Sequence, residues 1–315
     1  MKVILSIDGG GVRGIMEAMI LKRIEMQLRV QTKKNVHLAE YVDVISGAST
    51  GGIISAILTA PNESGGYKYD CYDAVNFYDK HCYEIFNKSK RILGELNYKY
   101  CEKNLEKYLD KYFGSISMKD LKNHVIIPTV NINTCQGLFF SNIKADEDQT
   151  NYKVKDVLRC TSAAPTYFKP KKVGNIIGID GGMVANNMSI CAISKLQKYN
   201  DTELKDICVI NISSGSVKPE LKGFDTNWGI LKWATNITNI MLYANVGLVK
   251  YQLSQLDLGG LFEIDIPQKY RYYSEDMADA SEQNMLYLKH AAQCTIIEND
   301  KFFREVCDFL IRNKK

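Results

Sequence analysis

Histidine and cysteine motifs are scarce in this chain. Only four histidines occur among its 315 residues, at positions 37, 81, 124 and 290. The nine cysteines are scattered and contain no C-x-x-C pair, so the two residue types together form no zinc-finger pattern. An odd number of scattered cysteines is typical of reduced thiols in an intracellular protein. The sequence therefore predicts neither a structural metal nor any other cofactor.

Long apolar runs and a strong net charge are also missing. No stretch approaches the roughly 18–20 apolar residues of a membrane-spanning helix, and the N-terminal run VILSI is too short for a secretory signal. The formal net charge of +4 gives no reason to expect a nucleic-acid partner. These absences predict a cytoplasmic protein and leave only peripheral contact with membranes open.

Strand-like and helix-like patterns alternate along the first two thirds of the chain. Alternation of this kind is typical of an α/β protein, here a three-layer α/β/α arrangement around a largely parallel sheet. Beyond about residue 220 the pattern becomes mainly helical. Because no linker or repeat divides the chain, we expect one domain over residues 1–315. The predicted strands are KVILSI (2–7), VDVIS (42–46), HVIIPTVNI (124–132), GLFFS (137–141), NIIGID (175–180) and DICVINISSG (206–215).

The first strand runs into a glycine-rich turn, DGGGVRG at 8–14. Consecutive glycines leave backbone N–H groups unobstructed, and the following helix N-terminus adds partial positive charge. Such a turn stabilises an anion, either a phosphate or the oxyanion of acyl transfer. Gly9, Gly11 and Gly14 also match G-x-G-x-x-G, the dinucleotide-binding pattern. A nucleotide-binding fold would carry an acidic residue at the end of the next strand, whereas here that strand leads to a serine.

That serine is Ser49, at the centre of the G-x-S-x-G segment GASTG (47–51). This pattern is typical of a nucleophile on a sharp strand-to-helix turn, with small residues at both flanks for steric reasons. A serine hydroxyl needs a neighbouring base. None of the four histidines lies in a glycine-flanked turn after a strand. Asp180, in the turn Asp180-Gly181-Gly182, does, so it is the better candidate on placement.

These motifs, in this order, resemble the patatin-like phospholipase family. The segments that carry the resemblance are DGGGVRG (8–14), GASTG (47–51), DGG (180–182) and TSAAPTYFKP (161–170), within about residues 3–215. The resemblance implies a modified α/β-hydrolase fold and hydrolysis of fatty acyl esters in phospholipids or galactolipids, without calcium. It also implies that Ser49 and Asp180 form a catalytic dyad without histidine. The oxyanion hole would comprise Gly9, Gly10, Gly11 and Arg13.

A dyad of this kind places a demand on its base. An aspartate with an ordinary pKa of about 3.9 is a weak base toward an alcohol, so Asp180 must be desolvated or placed so that its basicity rises. We expect its carboxylate within about 2.6–3.2 Å of Ser49 Oγ.

Two other functions stay open at the level of sequence. One is a nucleotide-binding phosphotransferase that uses the glycine-rich turn, and the other is a catalytically silent lipid-binding module. The apolar segment 228–253, which contains Trp228 and Trp233, admits two interpretations. It is either a core helix, which we favour, or an interfacial helix with Lys232 and Lys250 near its ends.

Overall fold

The computed structural model describes residues 1–87, 98–143, 151–215 and 229–314. Within these ranges eight strands form one mixed sheet. Five neighbouring strands, in the order β3-β2-β1-β7-β8, are parallel, and β4, β5 and β6 join them through antiparallel pairs. The strands are β1 (Lys2–Ile7), β2 (Val44–Gly47), β3 (His124–Asn131), β4 (Gln136–Ser141), β5 (Lys171–Val173), β6 (Ile176–Ile179), β7 (Ile207–Ile212) and β8 (Gly260–Ile264).

Helices cover both faces of the sheet and produce the expected three layers. Val3 and Leu5 of β1 pack into the larger core, whereas Ile4 between them packs into a second core on the opposite face. The helices are α1 (Gly14–Thr32), α2 (Thr50–Thr59), α3 (Cys71–Ile85), α4 (Glu102–Phe113), α5 (Val154–Thr161), α6 (Gly182–Ala185), α7 (Ser189–Asn200), α8 (Ile230–Ser254), α9 (Glu282–Glu298) and α10 (Asp300–Asn313). Helices α6, α7 and α8 contribute to the second core, and the others lie against the first.

The apolar strands β1 and β7 are near-continuous hydrophobic runs because both of their faces are covered. Helix α2 follows the same rule: all ten of its residues are buried, and its sequence is apolar or small on every side. These fully buried elements hold the ends of β1 and β2 in place. The turns that carry the chemistry therefore emerge from the most rigid part of the molecule.

The structure corrects three details. Strand β6, before Asp180, runs antiparallel to β3 rather than within the parallel set. The sequence VKDVLRCTSAAPTYF (154–168) predicts a helix that runs to Pro165, whereas α5 ends at Thr161. Pro165 has no N–H to donate to the Thr161 carbonyl, which accepts from Gly181 instead. The C-terminal part is not purely helical, since its short strand β8 extends the sheet beside β7.

The apolar segment 228–253 forms α8, of which Trp228 lies outside the described residues. Among the helices that the structure describes, none is long and apolar enough to cross a membrane.

Candidate active site

Ser49 occupies a strained turn between β2 and α2. Its backbone has φ +52° and ψ −116°, a conformation that side-chain-bearing residues rarely adopt. The flanking glycines are required by contact. A Cβ at Gly47 would lie 2.4 Å from the carbonyl carbon of Gly51, and one at Gly51 would lie 2.2 Å from the carbonyl oxygen of Ile7. The turn is therefore packed on both sides and presents the Ser49 side chain outward.

The Ser49 hydroxyl donates a hydrogen bond to Asp180. The distance from Oγ to Asp180 Oδ2 is 2.7 Å, within the expected range. The other carboxylate oxygen, Oδ1, accepts from the backbone N–H of Gly182 at 2.8 Å. Both oxygens of Asp180 are thus engaged, which leaves its carboxylate one orientation toward the serine.

The two residues meet because β2 and β6 share one edge of β3. Strand β4 occupies the other edge, and β2 pairs only with the first residues of β3, up to Ile126. Strand β6 pairs antiparallel further along, at Val130 and Asn131. The carboxyl ends of β2 and β6 therefore point toward each other. This head-to-head arrangement, and not a shared parallel edge, brings Ser49 to Asp180.

Burial makes Asp180 a stronger base than a free aspartate. The residue is only 6% exposed, and desolvation raises its pKa to about 6 despite the opposing hydrogen bonds from Ser49 and Gly182. The carboxylate is then mostly ionised at neutral pH while being far more basic than usual. This is the property that a serine–aspartate pair needs.

The end of α5 connects the two halves of this pair. Thr161 Oγ1 accepts from the Ser49 N–H at 3.0 Å, and the Thr161 carbonyl accepts from the N–H of Gly181 at 3.1 Å. The carbonyl of Ala163 accepts from the Asp180 N–H at 3.0 Å. The sequence alone gives Thr161 no role, although it lies in the family-like segment TSAAPTYFKP (161–170).

The glycine-rich turn lies across the same cleft. Its first amide, that of Gly9, donates to the Asn186 carbonyl at 3.2 Å, so Gly9 shapes the loop rather than offering a donor. The amides of Gly10 and Gly11 have no acceptor within the part of the chain that the structure describes. Gly11 has φ +60°, which favours glycine. Two N–H groups are thus available to an incoming anion.

Arg13 adds a buried cation beside this turn. It is 7% exposed, lines the cleft with Ser49 and Asp180, and burial lowers its pKa. Beneath it, burial raises the pKa of Asp8 to about 7 and that of Glu17 well above its usual value. The cleft is thus lined by both a buried cation, Arg13, and the buried carboxylate of Asp180.

None of the four histidines contacts Ser49 among the described residues. Each has its partners elsewhere in the fold, or begins a strand away from the cleft. His37 lies against Tyr67 and Tyr69, His81 stacks on Tyr108, His124 begins β3, and His290 lies beside Cys294.

Two cavities meet at Ser49. The first is almost wholly apolar and runs between α2, α3, α4 and the segment that follows α5, past Ile53, Phe77, Leu105 and Phe168. The second is lined by Gly10, Arg13, Asp180, Thr238 and Leu242. The serine thus has an apolar channel on one side and, on the other, a more polar cleft that contains both Arg13 and Asp180.

Comparison with known proteins identifies the family of this chain. Residues 5–189, more than half of the chain, match the family model described as patatin-like phospholipase. The chain belongs to the patatin-like phospholipase family. Patatin-like protein 1 of Arabidopsis thaliana is 33% identical over 288 residues, covering 80% of this chain and 70% of that protein. The probable inactive patatin-like protein 9 of the same plant is 31% identical over 230 residues, covering 67% and 60%.

Among solved structures, VipD from Legionella pneumophila aligns with 93% of this patatin-like chain and 67% of its own, at 12% identity and a TM-score of 0.38. That similarity is too low to inform the site.

In this member of the patatin-like phospholipase family, the glycine-rich turn does not offer a dinucleotide site. The N–H of Val12 donates to the Met277 carbonyl at 2.9 Å, and a Cβ on Gly11 would lie 2.1 Å from that oxygen. Gly14 is packed against Thr50 and Tyr78. The N-terminus of α1 is therefore covered where a pyrophosphate would have to lie.

All nine cysteines are free, and the described residues include no group of three His, Cys, Asp or Glu side chains suited to a metal ion.

Proposed function

We propose that this chain is a lipid acyl hydrolase of the phospholipase A type. Its substrates would be phospholipids or galactolipids, cleaved at a fatty acyl ester through an acyl-serine intermediate. Membership of the patatin-like phospholipase family supports lipid acyl hydrolysis at the family level. The observation that carries the finer proposal is the 2.7 Å hydrogen bond from Ser49 Oγ to Asp180 at the mouth of an apolar cavity.

In the first half-reaction, Ser49 Oγ attacks the carbonyl carbon of the ester while its proton passes to Asp180 Oδ2. The carbonyl oxygen becomes an oxyanion. When the tetrahedral intermediate collapses, the ester C–O bond breaks and the departing lipid alcohol takes the proton from Asp180. The acyl group remains on Ser49, and the carboxylate is regenerated.

In the second half-reaction, a water molecule attacks the acyl-serine carbonyl and gives its proton to Asp180. Collapse of this intermediate returns the proton to Ser49 Oγ and releases the fatty acid. Asp180 therefore acts alternately as base and acid, which its pKa of about 6 allows near neutral pH.

The oxyanion would be held by the two available amides of the glycine-rich turn, those of Gly10 and Gly11, in the field of Arg13. Preorganised N–H donors of this kind stabilise charge that develops only in the transition state. Gly9 contributes through the conformation of the loop, since its own amide is engaged by Asn186.

The cavities favour a particular orientation of the substrate. The apolar cavity beside Ile53 and Phe77 suits the acyl chain, because its lining offers almost no polar atom. The cleft beside Arg13 then receives the oxyanion and the departing alcohol with its headgroup.

A catalytically silent lipid-binding module on the same fold is the alternative. The strained Ser49 turn argues against it, because a backbone at φ +52° costs stability that lipid binding alone does not require. The raised pKa of Asp180 is likewise costly to the fold without a proton to transfer.

A fluorophosphonate probe followed by peptide mapping tests the proposal. We expect one covalent adduct on Ser49, none in Ser49→Ala, and full labelling in the matched control Ser194→Ala, whose residue is exposed on α7. Product analysis on a panel of phospholipids and galactolipids should then show free fatty acid and lysolipid. Absence of both the adduct and the products would favour the silent module.

A further inference from the structure

Helix α8 carries a continuous apolar stripe on its outer side. The exposed side chains recur at helical spacing, so they share one face. They are Trp233, Ile237, Met241, Leu248 and Tyr251, between 40% and 64% exposed. No charged residue occurs from position 233 to position 249. Exposed rows of large apolar side chains are typical of interaction surfaces.

On its inward side, α8 forms hydrogen bonds with the segment that follows Asp180. Asn245 Oδ1 accepts from the N–H of Asn186 at 2.9 Å, and its Nδ2 donates to the carbonyl of Val184 at 3.1 Å. Asn186 in turn donates to the carbonyl of Gly9. These contacts fix the helix relative to both the glycine-rich turn and the turn that holds Asp180.

The same helix also borders the cleft. Thr238 and Leu242 line the cavity that contains Ser49 and Asp180, and they directly follow Ile237 and Met241 in the chain. On a helix, neighbouring residues lie about 100° apart, so the apolar stripe adjoins the rim of the cleft. Whatever covers the stripe must also lie against the entrance of the active site.

From this juxtaposition we propose that the outer face of α8 docks on the surface of a lipid bilayer. The inference rests on the proposed lipid substrate, because a bilayer is the one partner that would have to reach that entrance in every catalytic cycle. An amphipathic helix lying in the plane of the membrane, with its apolar side chains in the headgroup region, is a known mode of peripheral attachment.

A second copy of the chain fits the stripe less well. The five side chains offer roughly 500 Å² per copy, so a two-helix contact would bury about 1,000 Å², below the roughly 1,200–2,000 Å² of stable interfaces. Such a contact would also obstruct the cleft beside Leu242.

We do not expect electrostatic attraction to anionic lipids to drive the binding of α8. Lys250, the nearest described cation on α8, is paired with Asp265 at 3.3 Å. We therefore expect binding to zwitterionic vesicles, with little dependence on salt, in contrast to a polybasic surface.

Vesicle flotation of Ser49→Ala protein tests this without any hydrolysis. We expect binding to phosphatidylcholine vesicles at both 0.15 and 0.5 M NaCl. The triple substitution Ile237→Gln, Met241→Gln, Leu248→Gln should weaken that binding at least tenfold. The matched control changes Met26, Leu286 and Ile297 to Gln. These residues are 51%, 52% and 66% exposed on α1 and α9, and the control should bind unchanged.

Measurements of hydrolysis distinguish a failure of this inference from a failure of the proposed function. With Ser49 present, the triple variant should hydrolyse a water-soluble short-chain ester within twofold of the parent and vesicle lipid at least tenfold more slowly. If the triple variant unfolds, as seen from loss of soluble-ester turnover, Leu248→Gln alone replaces it.

Equal vesicle binding by the triple variant and the parent would overturn the proposal, as would binding confined to anionic vesicles and lost in 0.5 M NaCl. Light scattering that shows the parent as a dimer and the variant as a monomer would assign the face to a second copy instead. Vesicle binding without hydrolysis of any ester would leave this inference standing and reject the proposed function.

Discussion

The described residues before position 216 and those after position 228 play different parts at one site. The earlier part supplies Ser49, Asp180 and the glycine-rich turn, which are the groups that would do chemistry. The later part supplies Met277, whose carbonyl closes the glycine-rich turn, and α8, which walls the cleft. The first set is recognisable as short motifs, whereas the second acts through backbone atoms and packing. The difference shows that chemistry and access are encoded in different ways in this chain.

The largest expected effects lie in the earlier part. Ser49→Ala and Asp180→Asn should each lower lipid hydrolysis by about 10³-fold or more, because nucleophile and base act as a unit. Initial rates on lipid vesicles measure this, with circular dichroism to verify the fold. Leu242→Ala, in the later part, serves as the comparison and should reduce the rate by no more than about tenfold. Retained activity in either dyad variant would contradict the assigned roles.

Two glycine substitutions, one in each region, test how the two regions differ in their effect on the free energy of unfolding. In Gly51→Ala the new Cβ would meet the Ile7 carbonyl oxygen at 2.2 Å, so we expect a loss of about 1–3 kcal/mol or more in the free energy of unfolding. Gly247→Ala, on α8, meets no atom within 4 Å and should gain about 0.5–1 kcal/mol from helix propensity. Denaturant titration of both variants distinguishes them, and changes of equal sign would contradict the steric argument.

Removing the Asp180 charge should stabilise the fold in a pH-dependent way. The pKa of this group is about 6 in the folded protein against a usual 3.8, so wild-type stability falls as pH rises from about 4 through 6. Asp180→Asn avoids this loss. The free energy of unfolding of this variant should match that of the wild type near pH 4 and exceed it by up to about 3 kcal/mol at pH 8. Unfolding curves at both pH values provide the test, with the exposed Asp257→Asn as control. A stability difference independent of pH would show that the Asp180 carboxylate is not desolvated.

The smallest effect concerns the acyl chain. Ile53→Phe fills part of the apolar cavity in the earlier region, and Leu242→Phe fills part of the cleft in the later one. We expect the first to shift the preference toward shorter acyl chains by about tenfold, since each excluded methylene is worth about 0.8 kcal/mol. The second should leave chain-length preference unchanged. Competition between lipids of different acyl length gives the ratio, and a shift caused by Leu242→Phe would reverse the assignment of the two cavities.

Much of this site can be predicted from the sequence, because its turns place steric requirements on residues close together in the chain. A turn that presents a side chain between a buried strand and a buried helix requires small residues at fixed positions, so Gly47, Ser49 and Gly51 stand out as a motif. The same holds for the glycine-rich turn after β1. Because no histidine lies in a glycine-flanked turn after a strand, the sequence favours Asp180 as the base. In the structure its carboxylate accepts a hydrogen bond from the Ser49 hydroxyl.

Other features depend on distant parts of the chain and leave no local signal. Thr161 holds the Ser49 turn through a hydrogen bond across 112 residues, and a threonine at a helix end is unremarkable in a sequence. The engaged amide of Gly9 depends on Asn186, and the closed turn depends on the Met277 carbonyl. Backbone partners of this kind place almost no demand on residue type.

The amino-acid sequence by itself determined the alternating layers, the strained serine turn and the glycine-rich loop, because each follows from side-chain size and periodicity over a few residues. Only the tertiary structure decided that β6 runs antiparallel and meets β2 head to head along β3, which is what brings Asp180 to Ser49. It alone decided that burial raises the pKa of Asp180, and that one side of α8 is buried while the other faces outward. Strand direction, desolvation and exposure are set by which distant segments pack together, and no short stretch of sequence contains that information.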